Sequence, residues 1–169
     1  EQRSGERTRY SASDPRHLLW VHCAFTDSFL RAHQALGYPL PQGADRYVRE
    51  WAKSAQPLGL DTAPQSEAEL SNVMDNFARN EVVTIAMTPP IVGFILEPPF
   101  SRGGLFFYRI LANAAIATID EPFLSVLGLK PRSKSWLKVS KVLLDLLSYM
   151  LGHESPSQKI ARKRINALQ

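Results

Sequence analysis

The residues of this 169-residue chain best suited to chemistry crowd into one short run, Trp20-Val21-His22-Cys23-Ala24-Phe25-Thr26-Asp27, with Arg31 one turn further on. In a helix of about 3.6 residues per turn, His22 and Thr26 share a face, so the hydroxyl can hold one imidazole nitrogen while the other binds a metal. The competing reading of His22 is a core histidine bonded to a neighbouring helix. Asp27 and Arg31 stand at the i,i+4 spacing of a helical ion pair, which competes with any role for Asp27 in a site. Trp20, large and apolar with a single donor, suits a core or a pocket wall better than catalysis.

Other chemistries are excluded early. Cys23 is the only cysteine, so the chain forms no intrachain disulfide and builds no metal site on several thiolates. His17, His33 and His153 complete the histidines, and with no Glu-x-x-His pair they have poor spacing for a di-iron bundle. No phosphate-binding loop, G-x-G-x-x-G turn, H-E-x-x-H helix or nucleophile elbow occurs. A net charge of only +4 does not argue for nucleic acid, and no apolar run approaches the roughly 18 residues that span a bilayer.

The elements that must position these residues read as helices. Asp14-Pro15 opens the first, an N-cap acceptor followed by a proline suited to the first helical position, and Gly37 stops it after about Leu36. Leu18, His22, Phe25, Phe29 and Ala32 or His33 form its predicted inner stripe, with Arg16 and Arg31 off it. A second helix spans about Ala44 to Gln56, facing inward through Tyr47, Val48, Trp51 and Ala55, with Arg46 and Glu50 paired outside. Ser66 and Glu69 make a capping box for a third, with Leu70, Val73, Met74 and Phe77 inside.

Between Glu81 and Pro99 the residues VVTIAM favour a strand, but Thr88-Pro89-Pro90 before IVGFIL favours a short buried helix, and helix is the expectation. Leu105 to Ile119 is predicted to be central to the core, and Phe123 to Val126 to be a short helix. Lys134 to Leu151 is an amphipathic helix with Trp136, Val139, Val142, Leu143, Leu146, Leu147 and Met150 inward. Ser155-Pro156 opens a basic last helix with Lys159, Arg162, Lys163 and Arg164, a solvated face or a contact for anionic groups such as lipid. About seven helices and no firm strand predict an all-α bundle, residues 1–169 forming one helical domain.

The stretch Tyr10-Ser11-Ala12-Ser13-Asp14-Pro15, leading into Leu18-Leu19-Trp20-Val21-His22 and then Asp27-Ser28-Phe29, resembles the pattern of the MpaB and rubber oxygenase (latex-clearing protein) family. The likeness continues through Tyr47 to Trp51, Leu58-Gly59 and Pro64 to Leu70. The resemblance implies a globin-like helical domain holding haem b, with an oxygenase activity that cleaves carbon–carbon double bonds in isoprenoid chains. Carried onto this chain, it makes His22 the candidate iron ligand, His22 and Asp27 the candidate catalytic residues, and Thr26, Tyr10 and Trp20 neighbours of the cofactor, whose haem propionates are a further anionic contact for the basic last helix. The family's own ligand histidine and an Arg and Thr motif would precede Glu1, so the chain reads as the C-terminal part of a larger catalytic domain.

Two functions follow as expectations. One is a haem-dependent oxygenase acting on a hydrophobic, isoprenoid-like small molecule held by the apolar middle, Ile91 to Ile119. The other is a non-catalytic helical domain that binds an apolar ligand or a partner protein. A cytoplasmic location with peripheral membrane contact is expected, without a transmembrane segment.

Overall fold

The computed structural model describes residues 11, 13–82, 85–152 and 156–167, and among these it contains eight α-helices and no strand. They are α1 (Pro15–Ala35), α2 (Gly43–Ala52), α3 (Glu67–Asn80), α4 (Thr88–Leu96), α5 (Arg102–Ile116), α6 (Glu121–Leu127), α7 (Ser135–Leu151) and α8 (Pro156–Asn166). The expected all-α bundle is what forms. Tyr10, His153 and Ser155 lie outside the described residues.

The helix starts follow from local chemistry. The Asp14 side chain accepts the Arg16 N–H at 2.8 Å, with Pro15 occupying the first turn of α1. Ser66 caps α3 through the Glu69 N–H at 3.2 Å. Glu69 reaches back one residue beyond the usual capping-box partner, to the N–H of Gln65 at 2.8 Å. The expected helix forms over Thr88–Leu96, with Pro89 in its first turn supplying the preset φ that a helix start needs, but it is not the buried helix expected: none of its residues is buried, and Ile91, Phe94 and Ile95 are exposed. α5 begins earlier than Leu105 because Ser101 accepts the Gly104 N–H, drawing both glycines into the first turn.

Two layers position the site. α1, α2 and α3 pack together around Cys23, Leu30, Val48, Leu70 and Met74, the main buried cluster. α5 and α7 pair lengthwise, and Ser140 on α7, buried where a larger side chain would hold them apart, donates to the Ile110 carbonyl at 3.2 Å. α6 packs against α3, and its Phe123 also meets Trp20 of α1.

Three predicted inner faces are corrected. On α1 the buried stripe is His22, Cys23, Thr26 and Leu30, while Phe25 and Phe29 are exposed, because α2 and α3 dock on the Cys23–Leu30 side. On α7 the period is right and the phase wrong. Val142 is 69% exposed, Val139, Leu146, Leu147 and Met150 are also exposed, and the face turned inward carries Leu137, Ser140 and Leu144. α5 is not central along its length, since Phe106 and Phe107 face outward and burial is confined to Ala114 and Ile116.

Candidate functional site

Beside the predicted chemistry lies a partly open apolar cavity of about 460 Å³ between α1, α5, α6 and α7. Helical periodicity explains its α1 wall, where Trp20, Ala24, Asp27 and Arg31 recur at three- and four-residue steps along one side. Small residues make the opposite wall: Ala114 and Ala115 on α5 leave the room that Leu111, Leu137 and Phe123 then line. Trp20 is braced edge-on against Phe77, with ring centroids 5.1 Å apart, and tilts against Phe123 at 5.9 Å.

One charged cluster interrupts this apolar lining. Arg31 Nε donates to Asp27 Oδ2 at 2.7 Å, and its Nη1 reaches Asp120 Oδ2 at 2.8 Å, so one guanidinium ties α1 to the start of α6. Burial opposes the Arg31 charge, but Asp27 and Asp120 outweigh it and raise its pKa further. The ion-pair reading of Asp27 is therefore realised, in a cavity wall and not on open surface. Asp120 sits at the N-cap position of α6, yet its side chain makes no cap bond and turns to Arg31 instead. Neither the triad nor the part of Asp120 in it was readable from spacing, since Arg31 and Asp120 are distant in sequence.

His22 lies elsewhere on α1. It is only 4% exposed, and it is not among the cavity-lining residues. Thr26 does not hold the ring as expected: its Oγ1 donates to the His22 backbone carbonyl at 2.7 Å, the usual fate of a helical threonine with a carbonyl one turn back. Among the described residues no side chain bonds the His22 imidazole. Of the sequence-predicted site residues, Trp20 and Asp27 are therefore brought together at the cavity, His22 and Thr26 share the buried α1 face, and Tyr10 lies outside the described residues.

Burial pushes the His22 pKa down from its ordinary 6.5, because the imidazolium would lose its water. The unfolded chain then takes up the proton more readily than the native one. The stabilisation is full above pH 6.5 and is lost as pH falls from there through the depressed native value. His22→Gln, measured by urea midpoints on protein without added hemin, is expected to flatten this acid-side decline. An unchanged slope would show that the ring titrates alike in both states.

Glu50 belongs to a different, more open hollow of about 580 Å³ beside α2, lined also by Arg46, Tyr47 and Trp51. Lys53 first, then Arg46, holds its carboxyl below the usual range, and the pair with Arg46 at 2.7 Å is exposed to water. It is a solvated ion pair. Among the described residues no group of three or more His, Cys, Asp or Glu side chains is placed to hold a metal ion, and no helix is long and apolar enough to cross a membrane.

A sequence model of the family described as ER-bound oxygenase mpaB/B'/Rubber oxygenase, catalytic domain, matches residues 1–148. No curated protein and no solved structure matches the chain.

Proposed function

Because the chain belongs to the MpaB and rubber oxygenase catalytic-domain family, matched over residues 1–148, we propose that it holds an apolar, isoprenoid-like substrate in the α1–α5–α6–α7 cavity and cleaves a carbon–carbon double bond oxidatively with the help of haem b. The observation that carries this reading is the cavity. Its volume falls in the range of about 300–1,000 Å³ usual for small-molecule sites, and its apolar walls suit a hydrocarbon chain.

His22 is the residue that would hold the haem iron, through the lone pair of its imidazole. Its ring is buried, is bonded by no described side chain, and favours the neutral form that offers a lone pair to iron. The exposed rings of Phe25 and Phe29 near it on α1, stacked at 6.1 Å between centroids, offer flat apolar surface beside that imidazole. Haem supplies the oxygen chemistry when bound, while the protein's part is to orient the substrate and exclude water. Peripheral membrane contact is part of the same proposal. It is supported by exposed Phe94, Phe106, Met150 and Leu151 and by α8, which carries Lys159, Lys163 and Arg164 and no acidic residue.

The separation of His22 from the cavity favours one second reading, a helical domain that binds an apolar ligand without catalysis. Absorption spectra choose between them. Wild-type protein with added hemin is expected to show a sharp Soret band that shifts on dithionite reduction, and His22→Ala should lose that band while keeping its helical circular dichroism. Equal bands in both proteins would remove His22 from the ligand role, and no band in the wild type would favour the second reading.

A further inference from the structure

We propose that the cavity selects an apolar chain ending in a hydroxyl group, and rejects the matching carboxylate, through Asp27, Arg31 and Asp120. The inference rests on reading the cavity as the ligand site and adds the chemistry of the ligand's head. All three residues line the cavity, otherwise walled by side chains such as Trp20, Ala114 and Phe123. Asp27, its side chain 15% exposed, and Asp120 each spend one oxygen, Oδ2, on Arg31. Among the described residues no hydrogen bond reaches either Oδ1, and Arg31 retains N–H groups beyond the two it uses.

The cluster thus offers acceptors and donors side by side in an apolar wall. A hydroxyl answers both, donating to an Asp Oδ1 and accepting from Arg31. Two carboxylates against one guanidinium leave a net charge of −1, so a ligand carboxylate would bring a third anion and no donor at neutral pH. An ammonium is drawn by the same net charge, but it offers no acceptor to the remaining Arg31 N–H groups and meets the guanidinium's like charge at close range. The selectivity comes from the polar mismatch that each wrong head group leaves against Asp27, the most buried of the three, while Arg31 at 33% and Asp120 at 49% exposed keep part of their water.

The test is calorimetric titration of the full chain with decan-1-ol, decanoate and decylamine. Decan-1-ol is expected to bind roughly tenfold or more tightly than decanoate, and more tightly than decylamine, a tenfold ratio being about 1.4 kcal/mol. In Asp120→Asn, which makes the cluster neutral, decanoate should gain on decan-1-ol by about the same factor. A purely structural triad would lower the melting temperature of Asp120→Asn and leave the alcohol-to-acid ratio unchanged, which overturns the inference. Equal binding of alcohol and acid, or tighter binding of decylamine, overturns it too while leaving the cavity as an apolar site. Binding of none of the three overturns the cavity reading itself.

Discussion

Leu70→Ala is expected to lower the unfolding free energy by about 3 kcal/mol, within the roughly 2–5 kcal/mol usual for truncating a buried leucine. Leu70 is 1% exposed, and its cluster with Cys23, Leu30, Val48 and Met74 lies where α1, α2 and α3 meet. Truncation removes apolar area and leaves a void, since neighbours held on three helices relax only partly. The loss is a large share of a domain stability of about 5–15 kcal/mol. Val142→Ala is the paired control: on a face of α7 turned to water it should change stability by less than about 0.5 kcal/mol. Urea midpoints of the two variants check both at once, and similar losses would mean that the sequence's inward phase for α7 was right after all.

The second large effect is chemical. Cys23 is completely buried, and burial, with a smaller contribution from the Asp27 charge, pushes its thiol up to about 11. The thiolate is the reactive species, and an ordinary free cysteine near 8.5 has much more of it at pH 8. Native protein should therefore react with a thiol reagent at pH 8 at least about a hundredfold more slowly than the urea-unfolded chain, which should release its one thiol promptly. A native rate close to the unfolded one would place Cys23 at the surface and with it reverse the orientation of α1. Because Cys23 neighbours His22, the same measurement reports whether hemin uptake opens this part of the helix.

Much of the local structure was legible without coordinates because it is decided within a turn or two of chain. Asp14-Pro15 and Ser66 start helices by satisfying backbone N–H groups nearby, and Pro89 in the first turn of α4 marks where that helix starts. The ion pairs Asp27–Arg31 and Arg46–Glu50 needed only helical spacing. The ordered residues Asp14-Pro15, Trp20-Val21-His22 and Asp27-Ser28 likewise pointed to the family that the comparison confirms.

Which side of a helix is inside is another matter, because it depends on what docks there. Period alone left α1 free to turn Phe25 and Phe29 inward, and packing by α2 and α3 put Cys23, Thr26 and Leu30 there instead. α7, apolar on more than one side, was turned by its pairing with α5, which set Ser140 against Ile110 and left Val142 in water. Thr26 had two acceptors in reach by spacing, and the backbone carbonyl of His22 took its hydroxyl. From local rules the sequence determined the helices, their caps, the family and the pairing of Asp27 with Arg31. Only the tertiary structure decided that this pair is joined by Asp120 in the wall of an apolar cavity, and that His22 stands apart from it, since both depend on contacts between segments far apart along the chain.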